Sequence, residues 1–239
     1  VPIGAPVVEI YALELGHLVR TSTGNFRAWG TADSISATNP PISVGFQPND
    51  PTPADVGDLD FSGIEMDNIN VGSGAACSVQ SDGALYCWGY GGGWGTLGIP
   101  GQSGVNAFNI PADIPGLGTV DVGGPVTAVE SHAWTTCAAL ADGTMRCWGQ
   151  GNFGGTARGN TETIGDDEVP ATGPAVDLGE PIVAFGEAGY SISWCALLQS
   201  GALKCWGHNG GGQLGYGHTE NLGDDPGEVG PNLPAVQVF

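Results

Sequence analysis

The chain has 239 residues, of which 43 are glycine and 17 proline, and it carries 25 acidic residues against five basic ones for a net charge of −20. So few cations exclude broad nucleic-acid binding, which needs clustered Lys and Arg to displace counterions, and they disfavour anionic membranes. No apolar run approaches the roughly 20 residues of a bilayer-spanning helix, and no secretory leader is visible, as expected of a mature chain or a fragment.

The first element in chain order is Val1-Pro-Ile-Gly-Ala-Pro6, which matches Val120-Asp-Val-Gly-Gly-Pro125 and Val176-Asp-Leu-Gly-Glu-Pro181 further on. A hairpin follows, Leu18-Val-Arg-Thr-Ser-Thr-Gly24-Asn-Phe-Arg-Ala28-Trp-Gly. A long connection then leads to Leu59-Asp-Phe61, and the pattern starts again. The next three hairpins are Cys77-Ser-Val-Gln-Ser-Asp-Gly83-Ala-Leu-Tyr-Cys87-Trp-Gly, Cys137-Ala-Ala-Leu-Ala-Asp-Gly143-Thr-Met-Arg-Cys147-Trp-Gly and Cys195-Ala-Leu-Leu-Gln-Ser-Gly201-Ala-Leu-Lys-Cys205-Trp-Gly. Short runs close the second, third and fourth periods, at Val120-Asp-Val122, Val176-Asp-Leu178 and Val236-Gln-Val238. The four Trp-Gly pairs begin at residues 29, 88, 148 and 206, so successive copies lie 59, 60 and 58 residues apart. Self-similarity at that period marks a repeat architecture.

Within the third period the spacing predicts a first strand at Val126–Val129, a second from Thr135 to Leu140, a third from Thr144 to Trp148 and a fourth at Pro174–Leu178. These runs are short, alternating or β-branched, and bounded by Gly, Pro and Asp, which is a strand pattern. No segment offers an amphipathic helix. Four antiparallel strands per period form one blade of a β-propeller, so the expected fold is all-β, with blades over residues 1–62, 63–122, 123–178 and 179–239 of a single repeat domain. Five segments match the fourth strand where four blades need four. The spare one is compatible with a fragment of a longer protein, with a closed ring carrying a redundant tail, or with strand exchange between copies.

In each cysteine-bearing hairpin the glycine stands four residues before the second cysteine, where a three-residue loop needs the left-handed conformation. Counting outward from Ala141, Asp142 and Gly143 sets Cys137 opposite Cys147, and the same count pairs Cys77 with Cys87 and Cys195 with Cys205. Directly opposed antiparallel residues are close enough for a disulfide. Reduced core thiols are the alternative, and a spacing of ten departs from the Cys-x-x-Cys pattern of zinc sites. Three bridges point to an oxidising compartment, extracellular, cell-surface or periplasmic. The absence of an Asn-x-Ser/Thr sequon favours a bacterial source.

The stretch Cys195-Ala-Leu-Leu-Gln-Ser-Gly-Ala-Leu-Lys-Cys-Trp-Gly-His-Asn-Gly-Gly-Gly-Gln-Leu-Gly-Tyr-Gly217 resembles a repeat of the regulator of chromosome condensation family. It is most similar to the cysteine-paired bacterial secreted branch, in which Gly-Gln-Leu-Gly-x-Gly follows Cys-Trp-Gly and a Gly-Asp-Asp-Glu segment comes later, here Gly165-Asp-Asp-Glu168 and Gly223-Asp-Asp-Pro-Gly-Glu228. The resemblance implies a propeller, usually of seven blades. It does not choose among the exchange factors, photoreceptors and secreted inhibitors that share the fold.

Catalytic motifs are sparse. Gly149-Gln-Gly-Asn-Phe-Gly154 matches Gly-x-Gly-x-x-Gly but leaves a strand for a loop instead of opening a helix, and no Gly-x-Ser-x-Gly elbow occurs. His17, His132, His208 and His218 form no metal motif. Asp166, Asp167 and Glu168, with Asp224, Asp225 and Glu228, offer hard oxygen ligands of the kind calcium takes, yet they lack EF-hand spacing and equally suit turns. Recognition is expected in the long connections after each Trp-Gly, where Tyr90, Trp94, Phe108, Phe153 and Tyr216, and Phe46 in the first, are candidate anchors. The expected function is a non-catalytic structural or protein-interaction scaffold that self-assembles through a terminal strand, with protein partners that include other copies of itself. The alternatives are a secreted binding module or inhibitor that reads a partner through its loops, and an enzyme with a loop-borne site.

Overall fold

Hairpins organise the chain as the glycine positions dictate. A computed structural model describes residues 3–13, 16–30, 50–72, 75–89, 93–101, 114–132, 134–187 and 192–237. Gly24, Gly83, Gly143 and Gly201 take φ of 86°, 84°, 88° and 87°, the left-handed region that side chains avoid. Around Gly143 the Leu140 N–H donates to the Thr144 carbonyl at 2.8 Å, and the Asp142 carboxylate accepts the Thr144 N–H at 2.9 Å, closing the three-residue loop.

The described strands form four three-stranded antiparallel sheets, each in simple up-and-down order. The first contains β1 (Val7–Leu13), β2 (Gly16–Thr21) and β3 (Phe26–Gly30). The second contains β4 (Ile69–Val71), β5 (Ala76–Val79) and β6 (Leu85–Trp88). The third contains β7 (Val126–His132), β8 (Thr135–Leu140) and β9 (Met145–Gly149), so its first strand runs beyond the expected end at Val129. The fourth contains β10 (Ile182–Glu187), β11 (Ser193–Leu198) and β12 (Leu203–Gly207). The register shifts by one residue after Val7 in β1, Val126 in β7 and Ile182 in β10, so these three strands carry the same bulge and can be superposed residue by residue.

The expected fourth strand of each blade is reduced to a touch. Leu59, Val120 and Val236 each donate one backbone N–H to the third strand, at Phe26, Leu85 and Leu203, and Val176 exchanges a pair of bonds with Met145. Gly and Pro on either side stop the pairing there, because proline lacks a donor and both residues favour turns. Two single helical turns precede these contacts, α1 (Pro53–Val56) and α2 (Ile114–Leu117), where no helix was expected. Val236 occupies the outer position on its own blade, so the spare fourth-strand copy is the amino-terminal one, whose Val1 and Pro2 lie outside the described residues.

The apolar core lies between sheets. Cys77, Val79, Leu85 and Cys87 of the second blade pack with Val126, Val129, Leu140 and Trp148 of the third. Cys137, Ala139, Met145 and Cys147 of the third pack with Ile182, Leu198 and Trp206 of the fourth, and Leu18, Phe26 and Ala28 of the first pack with Met66, Ala76 and Trp88 of the second. Each junction thus seats a tryptophan face on the preceding blade, on its cysteine pair in the second and third junctions and on Leu18 and Ala28 in the first. Indole-to-carbonyl hydrogen bonds reinforce the packing: Trp148 Nε1 donates to the Thr96 carbonyl at 2.9 Å and Trp206 Nε1 to that of Gly155 at 3.3 Å. Among the described strands, contacts run from first sheet to second, second to third and third to fourth, with none of substance from fourth back to first. Among the described residues, the four blades form an open arc.

Candidate interaction surfaces

The three bridges are formed. Cys77–Cys87, Cys137–Cys147 and Cys195–Cys205 have Cα separations of 4.1, 4.1 and 4.0 Å, closer than the general range for opposed residues, and no described cysteine is free. Leu18 pairs with Ala28 at the same place in the first blade.

All five cations are engaged within the fold. Arg20 pairs with Asp67 at 2.5 Å and Glu9 at 3.7 Å, and Arg27 binds Asp58 at 2.7 Å and the Ile3 carbonyl. Arg146 donates to the carbonyls of Pro170 and Gly173, Arg158 to those of Pro170 and Thr172, and Lys204 to those of Leu178 and Pro231. Burial lowers the pKa of both Arg146 and Arg158 from the usual guanidinium value. Arg27, Arg146 and Lys204 hold one position of the repeat, where the second blade has Tyr86, and each ties the connection that follows its own blade to the third strand.

The acidic segments divide. Asp166, Asp167 and Glu168 bring one ligand oxygen each to within 4.8 Å of one another, a donor set of calcium type. Burial, a hydrogen bond with Asp167 and the charges of Asp167 and Asp166 raise the Glu168 pKa. In the fourth blade the Glu228 carboxylate instead accepts the N–H groups of Gly223 at 2.8 Å and Asp225 at 3.0 Å, and so closes a turn, while Asp224 Oδ2 accepts from Asn221 at 3.4 Å.

Of the aromatic candidates, Trp94 is 40% exposed and Phe153 43% exposed. The Phe153 ring lies 4.6 Å from that of His208, so it also leans on the next blade. Tyr216 accepts the Cys205 N–H at 2.9 Å and donates to the Pro234 carbonyl at 3.0 Å, which makes it a strut between loop and sheet. Burial raises its pKa. Tyr90, Phe108 and Phe46 lie outside the described residues.

Sequence reasoning missed a further surface, the two end faces of the arc. Val126 and Val129 are 4% and 9% exposed inside the second junction; their counterparts on the first blade, Val7 and Ile10, are 43% and 64% exposed. Trp88, Trp148 and Trp206 are fully buried, whereas Trp29 is half-buried and stacks on His17. On the fourth blade Leu197 is 39% exposed where Val79 and Ala139 are buried, and Cys195 is partly exposed where Cys77 and Cys137 are not. Superposing the periods on their Trp-Gly pairs finds these positions, once the burial of one copy is compared with that of another.

Two cavities occupy one position of the repeat. A cavity of about 370 Å³ beside the third blade is lined by Arg158, Ile164 and Val176 and walled by Val229, Gly230 and Pro231 of the fourth. Beside the fourth blade the matching groove, about 680 Å³, is lined by Tyr216, Leu222, Leu233 and Pro234, all of that one blade.

No protein-family model matches the chain. The chain is 28% identical to human E3 ubiquitin-protein ligase HERC2 over 226 residues, which is 90% of this chain and 4% of that protein. It is 31% identical over 147 residues to the mitochondrial RCC1 domain-containing protein RUG3 of Arabidopsis thaliana, 60% of this chain and 31% of that one. Human WBSCR16 superposes on 98% of this chain and 54% of its own, at 18% identity and a TM-score of 0.62. Prp20p of Saccharomyces cerevisiae, whose structure was described with its binding to Gsp1p and histones, covers 84% of this chain at 20% identity and a TM-score of 0.57. The chain spans 43% of Prp20p, and so only part of each of these proteins. Signature, blades and relatives agree that the chain is similar to RCC1-repeat proteins and shares their β-propeller fold, here with four blades.

Proposed function

We propose that this propeller is a non-catalytic extracellular scaffold whose partners are proteins, among them further copies of itself. The observation that carries the reading is the pair of end faces: one kind of junction is repeated three times within the arc, and both halves of that junction are presented to solvent at its ends. Exposed apolar patches of this kind mark association surfaces. The disulfides support an oxidising compartment. Engagement of every cation in internal bonds speaks against nucleic acid as a partner. That Prp20p binds proteins agrees with a protein partner here. Donation of the amino-terminal strand into a neighbour would displace Val236 from the outer edge of the fourth blade, and contact between whole blade faces would accompany that exchange.

A second reading, a soluble module that grips a partner through its loops, draws on the exposed rings of Trp94 and Phe153. Light scattering of protein isolated without reductant separates the two: the scaffold gains mass with concentration, and the soluble module stays at one chain. Alkylation and intact mass on the same sample check the compartment. Six free thiols would remove the extracellular assignment.

A further inference from the structure

We propose that copies of this chain join head to tail, the disulfide face of the fourth blade seating on the tryptophan face of the first blade of a second copy. The inference rests on the assembly reading above and names the two surfaces that meet.

Each internal junction is heterologous, with a tryptophan face on one side and, on the other, a cysteine-pair face or, in the first junction, its Leu18–Ala28 counterpart. In the second junction Cys77, Val79 and Leu85 meet Val126, Val129 and Trp148. In the third, Cys137, Ala139 and Met145 meet Ile182, Leu198 and Trp206. The register of β11 and β12 places Cys195, Leu197 and Leu203 in the first role, since Cys195 pairs Cys205 and Leu197 pairs Leu203 just as Ala139 pairs Met145. The shared bulge places Val7 and Ile10 in the second role, with Trp29 beside them. The two open faces are therefore the two unlike halves of a contact that this chain already makes three times.

The groove on the fourth blade supplies an independent argument. Beside the third blade the corresponding cavity is walled by the proline-bearing turn Val229–Pro231 of the next blade. In the first blade the turn at that position is α1. An added Cβ on Gly4 would lie 3.3 Å from Ala54, on Gly123 3.6 Å from Ala171, and on Gly179 3.5 Å from Pro231, so Ala54, Ala171 and Pro231 occupy equivalent places. Docked by the internal geometry, a second copy brings its Pro53–Val56 turn to the 680 Å³ groove of Tyr216, Leu222 and Pro234, and its own Gly4, which already takes against Ala54 the place of Gly123 and Gly179, comes to the outer edge of the first copy's fourth blade in exchange for the segment at Val236. A head-to-tail contact closes into a ring or continues as an open series, depending on the rotation it imposes.

The test uses the intact chain and two variants, Ile10→Asp on the first blade and Leu197→Asp on the fourth, both at exposed positions. Analytical ultracentrifugation of the unmodified chain should show mass rising with concentration above 24.1 kDa, either stopping at a closed ring or continuing. Each variant alone should remain at one chain mass, with an unchanged melting temperature showing that it is folded. An equimolar mixture of the two should recover a species of twice that mass, because each variant keeps the face the other lacks. Association that survives the single variants, or a mixture that stays monomeric, overturns head-to-tail docking and leaves assembly to another surface. An unmodified chain that is monomeric at every concentration overturns both the docking and the assembly reading.

Discussion

Gly72 shows how tightly one atom can hold a junction. A Cβ there would sit 1.9 Å from the Ser131 carbonyl oxygen, which is backbone of the next blade and cannot swing aside. Gly72→Ala should cost about 2–3 kcal/mol, as overpacking a close contact does. Gly116→Ala, where a Cβ meets nothing within 4 Å, should stay within about 0.5 kcal/mol. Urea titrations of the two variants check the contrast. Glu168 offers a pH test. Its folded pKa is raised, so its charged form penalises the native state, and the penalty fades as pH falls through the folded value. Glu168→Gln should therefore melt higher than the parent at neutral pH. The difference should vanish below the ordinary Glu pKa of about 4.3. A melting-temperature difference that is flat from pH 4 to 7 would show that the Asp166–Asp167–Glu168 cluster does not act on that side chain. The residues of this scale were unevenly legible. The cysteine partners followed from counting around Gly143, because a two-residue side-chain period leaves one register once the loop is placed. The exposure of Ile10 did not follow, because its sequence context matches that of a buried valine.

The hairpin carries most of each blade's local order, and it tolerates loss of its bridge, as the first blade shows with Leu18 opposite Ala28. The double substitution Leu18→Cys with Ala28→Cys should form a fourth disulfide, seen as two fewer alkylatable thiols. The gain should fall below the about 3 kcal/mol expected for a short loop, because Leu18 is fully buried and its packing is given up. The second and third strands were legible from alternation and glycine. The fourth strand was not, because its composition is that of a strand while its neighbours allow only one or two backbone bonds. α1 was likewise invisible to periodicity: a single turn started by Pro53, with the Asp55 carboxylate accepting the Thr52 N–H at 2.8 Å, is too short to show one.

At the scale of the molecule, the repeat period revealed four blades but not that the cores lie between them, and this is what leaves two faces open. A charge of −20 opposes any meeting of copies, and salt screens that repulsion. Head-to-tail association should therefore tighten as ionic strength rises from about 0.01 M, where the Debye length is about 30 Å, to about 0.15 M, where it is about 8 Å. Sedimentation at the two salt concentrations reads the change; weaker association at higher salt would mean that ion pairs, not apolar faces, hold the copies. The placement of tryptophan against the preceding cysteine pair also has an optical consequence. Disulfides quench neighbouring indoles, so Trp148 and Trp206, each seated on a bridge of the blade before it, should emit weakly in the oxidised protein and brighten on reduction. Trp88 rests on Leu18 and Ala28 and should emit without that quenching. Trp29 is half-buried at the free end, so a red-shifted band from it should move to the blue when a second copy covers it. The arc thus carries a row of built-in light gauges, one at each seam and one at the open end.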